Sequence, residues 1–381
     1  MKKFFLFYSL FFITACGSQS GDWQSGKVID LDKESNVSVF DFIDSVELVQ
    51  LETNDQCLIG RVSKVLFFKD KYFIYDAQQQ TVFCFDQSGK FICKIGQQGR
   101  GPEEHAHLGD IAIDPYNEQL LLVVPFGSVL CFDLNGNFLT RVEIPDAGAI
   151  NELHVLNADK WMFASLYDHQ ILYFSKEDNR IIERLYESLA LPVFLPPLQR
   201  PYSYNDSIFF LPALDLTTLN MSDVHRKAAY TWDFGAKNNS RRQVESFLKD
   251  LESVQIRKRE DYATFFEMFH NSLNHYVHFT RESRRYKMAV LEYKKDNLHL
   301  IFDKSEDKTV VFRKTKEGIG WVNGIFMSNQ DKIIVYDIIR PSLRDDAPPY
   351  TKEIFSHEQL RIVEAHTEED NPFLVVYHLK K

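Results

Sequence analysis

The sequence predicts an all-β fold, a six-bladed β-propeller, and three observations lead to this prediction. A β-hairpin motif recurs at a fixed spacing, further strand pairs follow it along the chain, and apolar strands near the two ends can pair with each other. The 381-residue chain also contains 32 Phe and 17 Tyr, and aromatic residues are enriched in strands.

The recurring hairpin spans residues 82–92 and, 47 positions later, residues 129–139. Each copy has alternating apolar residues on both sides of an Asp-x-x-Gly turn, which predicts a hairpin because Gly tolerates the positive φ of the turn and Asp bonds to the backbone that follows it. Equivalent positions hold the same residue types: Cys84 and Cys131, Phe85 and Phe132, Asp86 and Asp133, Gly89 and Gly136, Phe91 and Phe138.

Weaker strand pairs follow, and they indicate four more units of the same kind. Sheet-rich repeats of about 40–50 residues are typical of propeller blades, and propellers have about four to eight blades, so the spacing here favours six. A further strand precedes each of the two clear hairpins, at Tyr72–Tyr75 and Leu120–Val123. The strands of the four weaker units are predicted at Trp161–Ala164, Ile171–Phe174, Ser207–Leu211, Ala229–Phe234, Tyr276–Phe279, Met288–Tyr293, Leu298–Phe302 and Ile333–Asp337.

Ring closure and one large insertion complete the predicted architecture. Val46–Leu51 and Phe373–Tyr377 are apolar strands, and their pairing in one blade leaves the ring without a long bare edge. Ser240–His270 has helical spacing of apolar residues, with Asn239 or Ser240 as its cap, and it falls between blades four and five. A shorter helix is predicted near Glu353–Arg361, after a proline-rich loop.

The N-terminus reads as an export signal. Lys2 and Lys3 precede the apolar run Phe4–Ile13, which is too short to cross a membrane but has the length of a signal-peptide core. The following Ala15-Cys16 resembles the lipobox of bacterial lipoproteins, which implies cleavage before Cys16 and lipid on its thiol. The alternative is an ordinary signal peptide with a chance cysteine.

The predicted organisation is therefore a signal peptide over residues 1–15, a flexible tether over 16–38 and a propeller over 39–381, with the helical insertion at about 240–270. A chain with two or more acyl groups is stably anchored, so the membrane is an expected partner through Cys16. The outer membrane is favoured, and its periplasmic and external sides both stay open.

The mature chain resembles the six-bladed, NHL-like β-propeller lipoproteins of Gram-negative bacteria, a family largely of undefined function. The motifs that carry the resemblance are Leu51-Glu-Thr53, the Phe85–Phe91 hairpin, the glycine-rich Ile95–Pro102, Trp232-Asp-Phe-Gly235 and Asp370-Asn-Pro372. After Pro102 the family's usual Gly-Glu-Tyr is replaced here by Glu103-Glu104-His105, so a role carried by that tyrosine does not transfer to this chain.

The loop around Pro102, where the sequence departs from the family pattern, contains the candidate ligand-binding residues Arg100, Glu104 and His105. Binding residues concentrate on loops of a rigid sheet scaffold. Gly96–Gly101 resembles a phosphate-binding loop, but such loops need a following helix N-terminus, and here Pro102 and a strand region follow. We interpret the glycines as a structural turn and expect this loop, with the helices of 240–270, to frame the functional mouth.

The sequence does not support a metal site, a cofactor or a nucleic-acid partner. His105 and His107 lack a third ligand of clear spacing, so no metal site and no cofactor are predicted. The net charge of −10 argues against a nucleic-acid partner, which requires clustered Lys and Arg. Cys84 and Cys93 are placed opposite each other by the hairpin register, and both a disulfide and two buried thiols stay open.

Two classes of function remain. The first is a lipid-anchored binding scaffold for a glycan, a peptide or a partner protein of the envelope. The second is a periplasmic or surface enzyme, a glycan lyase or hydrolase with its site at the axial mouth. No catalytic residue is assigned, because the sequence contains neither a Gly-x-Ser-x-Gly elbow nor a His-Glu-x-x-His motif. The absence of a recognisable catalytic motif favours the scaffold.

Replacing the lipidation residue tests the anchoring hypothesis. Cys16→Ser removes the thiol that would carry the lipid, so we expect the variant to partition into the aqueous phase while the parent stays with membranes. Metabolic labelling with a fatty acid, followed by detergent-phase separation, measures both properties. Incorporation of label into the Cys16→Ser variant would contradict the lipobox interpretation.

Overall fold

The structure, a computed structural model, is built from six four-stranded antiparallel sheets. It therefore confirms the predicted all-β, six-bladed propeller. The residues described are 27–165, 170–185, 201–212, 214–252, 267–320, 326–327, 331–336 and 350–381.

The first strand in the chain, β1 (Ile43–Val49), belongs to the last blade, and blades 1 to 3 follow it. Each blade is described from its innermost strand to its outermost strand. Blade 1 consists of Val62–Phe68 (β2), Lys71–Asp76 (β3), Thr81–Asp86 (β4) and Phe91–Ile95 (β5). A short parallel pair, Gln97–Gln98 (β6) and Glu104–His105 (β7), lies between blades 1 and 2. Blade 2 consists of Asp110–Asp114 (β8), Gln119–Val124 (β9), Ser128–Asp133 (β10) and Phe138–Glu143 (β11). Blade 3 consists of Glu152–Val155 (β12), Lys160–Ser165 (β13), Gln170–Ser175 (β14) and Arg180–Leu185 (β15).

The remaining three blades include the longest and the shortest strands. Blade 4 consists of Tyr202–Tyr204 (β16), Ser207–Phe210 (β17), Thr217–Asn220 (β18) and Ala228–Thr231 (β19). Blade 5 consists of His275–Glu282 (β20), Tyr286–Tyr293 (β21), Asp296–Asp303 (β22) and Lys308–Phe312 (β23). Blade 6 consists of Phe326–Met327 (β24), Lys332–Tyr336 (β25), Leu374–Leu379 (β26) and β1.

The core is divided into layers between neighbouring blades, because each blade buries both of its faces. In β3, Tyr72 and Ile74 pack against blade 6, whereas Phe73 and Tyr75 pack against blade 2. Similar apolar layers join blades 2 and 3, 3 and 4, 4 and 5, and 5 and 6. Strands buried on two sides have near-continuous apolar sequences, which explains segments such as 72–75 and 120–123.

The repeated hairpin has the predicted geometry in both copies. Gly89 and Gly136 adopt φ values of +86° and +90°, and the carboxylates of Asp86 and Asp133 accept backbone N–H groups two and four residues later. A Cβ on Gly89 would lie 2.1 Å from the carbonyl oxygen of Gln50. The turn of blade 1 therefore packs directly on the chain that leaves β1.

The closure prediction is also confirmed. β1 pairs with β26 in antiparallel register, from Val46 opposite Tyr377 to Val49 opposite Leu374, and β26 pairs with β25 on its other side. Leu374–Tyr377 are fully buried. The two ends of the chain thus supply adjacent strands of one blade, and neither end of the repeat array is left as an open edge.

The helical elements lie where the sequence predicts them. Helix α1 (Arg241–Glu252) follows blade 4, and the Ser240 hydroxyl caps it by accepting the N–H of Gln243. Residues 267–272 are helical again before β20. In blade 6, a 3-10 turn (Lys352–Ile354) and helix α2 (His357–Ala365) stand between β25 and β26.

The packed part of the chain begins before residue 39, the predicted start of the propeller. Ile29 and Leu31 are buried against Trp232 and blade 5, and Val37 is buried between blades 5 and 6. Alternating apolar residues in an extended segment explain this packing. The predicted signal peptide, Cys16 and the tether up to residue 26 lie outside the described residues. Within the described part of the chain, no helix is long and apolar enough to cross a membrane.

Deletion of residues 372–381 tests the closure. The deletion removes a fully buried strand, and each large apolar side chain contributes about 1.5–3 kcal/mol, so the loss approaches the whole stability of a domain, about 5–15 kcal/mol. We expect aggregation and no cooperative thermal transition in calorimetry. Deletion of Lys381 alone, which is exposed, is the control. A sharp transition at the parent temperature in the long deletion would contradict the closed ring.

Candidate functional site

One face of the propeller carries the connection between blades 1 and 2 and the described parts of the connection between blades 4 and 5. Because strands alternate in direction, the turns between second and third strands and the connections between blades emerge on the same face. We call it the insertion face, defined by the blade 1–2 connection (residues 96–109) and the blade 4–5 connection (residues 232–274). Both regions predicted to frame a functional mouth lie here.

The loop that contains Arg100 and Glu104 is held together by its own polar groups. The Glu104 carboxylate accepts the N–H of Gly101 at 2.7 Å, and a Cβ on Gly99 would lie 1.9 Å from that carboxylate. The guanidinium of Arg141 in blade 2 donates to the Glu104 carbonyl oxygen at 3.2 Å. Glu104 therefore shapes the loop, whereas Arg100 is exposed.

His105 points into the protein rather than toward a ligand. Its side chain is 1% exposed, and neither ring nitrogen has a hydrogen-bond partner among the described residues. Burial, together with the nearby charges of His107 and Arg141, lowers the pKa of His105 to about 4. The ring packs against Gly96. The glycine-rich segment is thus a structural turn built around His105 and Glu104.

The blade 4–5 connection encloses a cavity of about 350 Å³ on the insertion face. Its wall comes from the start of the insertion, its helical end and the β21–β22 turn. The lining residues are Ala236, Lys237, Phe269, His270, Leu273, Asn274, Glu292, Tyr293, Lys294 and Lys295.

A buried acid, Glu292, and His270 form one side of this cavity, and His278 lies near Glu292 but is not part of the lining. Glu292 on β21 contacts the His270 imidazole, and its second oxygen lies 3.7 Å from Nε2 of His278. Phe269 packs beside them against Phe247 of α1. The Glu292–His270 contact and aromatic packing therefore hold the helical end of the insertion on blade 5.

Lysines form the other side, and two of them are held by the N-terminal segment. The Asp32 carboxylate accepts from Lys237 at 2.6 Å, from Lys294 at 2.7 Å and from the Tyr293 hydroxyl at 2.9 Å. These donors keep the pKa of Asp32 well below its usual range. Lys295 lines the same cavity, is exposed, and follows Lys294 in a turn where both have positive φ.

The axial mouth on this face contains ionisable groups that tie inner strands together. Asp110 on β8 accepts from Lys64 of blade 1 at 2.8 Å and from the N–H of Leu153 in blade 3 at 3.2 Å. Burial raises the pKa of Asp110, opposed by Lys64 and reinforced by Glu152. Both carboxylate oxygens of Asp110 are thus used in contacts between blades.

The described residues contain no group of three or more His, Cys, Asp or Glu side chains arranged to hold a metal ion. The cavity residues were not singled out by the sequence, which indicated only the helical insertion and the hairpin around Tyr293. The Lys294-Lys295 turn between two predicted strands was the available signal. The packing of four separate segments, including Asp32, is what makes these residues neighbours.

The chain matches one family, and it is similar to solved structures over most of its length. The sequence profile of a family described as "Domain of unknown function (DUF4934)" matches residues 26–378. A solved protein from Bacteroides fragilis NCTC 9343, described as exported, is 18% identical with a TM-score of 0.71, covering 92% of this chain and 98% of its own. A solved member of the DUF4221 family from Bacteroides vulgatus is 10% identical with a TM-score of 0.45, covering 88% and 98%. No curated protein matches.

The burial of His105 predicts a pH-dependent stability. The unfolded imidazole binds a proton below its ordinary pKa of 6.5, whereas the folded one stays neutral down to about 4, so the free energy of unfolding should fall as pH decreases between these values. In His105→Gln this fall should be shallower. Urea unfolding across the range measures it.

Arg100→Gln is the control for this comparison, because it changes an exposed residue of the same loop and should keep the parent profile. Identical pH profiles for His105→Gln and the parent would contradict a neutral, buried His105. His275, whose pKa burial also lowers to about 4, contributes equally to all three proteins and cancels in the differences.

Proposed function

Because this chain belongs to the DUF4934 family, whose description assigns no activity, we propose its function from the site: it is a lipid-anchored binding protein of the cell envelope. The signal at residues 1–15 would direct export and be removed, and the lipid on Cys16 would then hold the protein at the outer membrane. Its ligand is a glycan or a peptide, or a partner protein that presents one. The proposed ligand site is the cavity lined by the start of the insertion, its helical end and the β21–β22 turn of blade 5.

The cavity is the observation that carries this proposal. Its volume, about 350 Å³, is in the range of small-ligand sites, about 300–1,000 Å³. It lies on the insertion face, where loops project from a closed β-scaffold, and such loops are common positions for binding residues. A cavity of this size accommodates one or two sugar rings or a few peptide side chains.

The lining indicates which ligand groups are recognised. Lys295 supplies a cation at the rim, Asn274 an amide, and Tyr293 and Phe269 apolar surface. Lys237 and Lys294 are already bound to Asp32 and so form a fixed wall. Ligands with hydroxyl and carboxylate groups on a compact apolar frame suit this lining, since charged partners strengthen hydrogen bonds.

Arg100 is proposed as a second contact for a larger ligand. Its side chain is exposed on the same face, in a loop that Glu104 and Arg141 hold in place. Glu104 and His105, the other two residues predicted from sequence, would act by shaping this loop rather than by touching the ligand.

A charge-removing substitution at the rim tests the proposed site. Lys295→Gln keeps a polar, unbranched side chain of nearly the same length and removes the ammonium group, so binding of an anionic or polyhydroxylated ligand should weaken by about tenfold, the equivalent of about 1.4 kcal/mol. The parent is first screened on a glycan microarray and a peptide library, and the best binder is titrated calorimetrically against both proteins.

Lys160→Gln is the matched control, because Lys160 is an exposed lysine at the start of β13, outside the cavity. It should bind as the parent does, and all three proteins should melt alike. Equal affinities of the Lys295→Gln and Lys160→Gln variants for the ligand would contradict the placement of the ligand site in the cavity. A parent that captures neither glycan nor peptide would contradict the proposed function.

A further inference from the structure

The outer hairpin of blade 1 places two cysteines side by side. Cys84 on β4 and Cys93 on β5 are direct partners in the antiparallel register. Residues opposite each other in such a pair have Cα atoms about 4.5–5.5 Å apart, and disulfides span Cα distances of about 4.4–6.8 Å. The backbone therefore already holds the two residues at bridging distance.

The two thiols differ in exposure and in ease of ionisation. Cys84 is fully buried, whereas Cys93 is half-buried and its thiol donates to the Asn135 carbonyl oxygen at 3.4 Å. The proximity of the two thiols raises the pKa of Cys84 and lowers that of Cys93, and the Lys71 ammonium favours ionisation of both. Cys93 is thus the more accessible thiol and the one that ionises more readily.

The repeat supplies an internal comparison. Cys131 is the equivalent of Cys84 in blade 2, and its partner across the strands is Thr140. Cys57 is buried and bonds to the Glu52 carbonyl oxygen at 3.1 Å. The equivalent hairpin of blade 2 therefore has a single cysteine, and the repeat does not require a second one at position 93.

We propose that Cys84 and Cys93 form a redox site. Both are free thiols in this structure, and they form a disulfide after export. Export places the chain in a compartment where disulfides persist. The oxidant is an exported protein or small molecule that carries a disulfide. The product is a cross-link between the two outer strands of blade 1, the blade that packs against the closing blade.

The chemistry is thiol–disulfide exchange. The Cys93 thiolate attacks one sulfur of the oxidant, forming a mixed disulfide and releasing the first oxidant thiolate. The Cys84 thiol then loses its proton and attacks the Cys93 sulfur, which releases the second oxidant thiolate. Two cysteine thiols are oxidised to one disulfide, and the oxidant takes up two electrons and two protons to become a dithiol or two thiols.

Thiol trapping on the exported, full-length protein tests this site. Envelopes are quenched in acid, denatured and alkylated without reductant, and cysteine-containing peptides are identified by mass spectrometry. We expect alkylation of Cys57 and Cys131, and a linked peptide pair for Cys84 and Cys93 that becomes alkylated only after reduction. Full alkylation of Cys84 and Cys93 in the unreduced sample would overturn the proposal.

The melting temperature is the second measurement. It distinguishes the effect of a disulfide from the effect of replacing a cysteine. The exported parent should melt several degrees lower after reduction, because a disulfide restricts the unfolded chain. Cys93→Ser should show no reductant-dependent change, and Cys131→Ser should respond as the parent does. A parent whose melting temperature is the same with and without reductant would count against the bridge.

Discussion

The pairing of β1 with β26 is the constraint on which the rest of the structure depends. A propeller blade buries both faces against its neighbours, so a ring open at one interface would expose two apolar faces at once. The register from Val46–Tyr377 to Val49–Leu374 joins the beginning of the described chain to its end. It gives the sixth sheet its outermost strand and brings Leu374–Tyr377 to complete burial. The layers on both sides of blade 6 therefore form only when the ends meet.

The segment that leads into β1 extends this closure around blade 5. Ile29 and Leu31 fill the layer between blades 4 and 5, while Asp30 and Asp32 bind Lys237 at the base of the helical insertion. Asp32 also binds Lys294 on blade 5. The chain nearest the proposed lipid anchor thus fixes one wall of the cavity.

Many ionisable groups on the insertion face belong to one of two kinds. Asp110 and Lys64 at the axial mouth, and Glu104 with Arg141 in the blade 1–2 loop, are engaged in contacts between neighbouring elements. They hold the scaffold in one arrangement. Lys295 and Arg100 are exposed and available to a ligand. A rigid framework with exposed polar groups suits recognition, because little conformational entropy is lost when the ligand binds.

The sequence by itself determined the blade number, the hairpin register and the closing strands. These features follow from alternation, turn residues and repetition, which act over a few neighbouring residues and need no knowledge of distant contacts. Even the opposition of Cys84 and Cys93 came from the turn at Ser88-Gly89. The tertiary structure alone decided that His105 is buried, that the packed chain begins before residue 39, and that Lys237, Asn274 and Lys295 surround one cavity whose wall Asp32 binds. Burial and long-range ion pairs depend on how blades 4 and 5, the insertion and the N-terminal segment pack in three dimensions, and that packing leaves no local periodic pattern in the sequence.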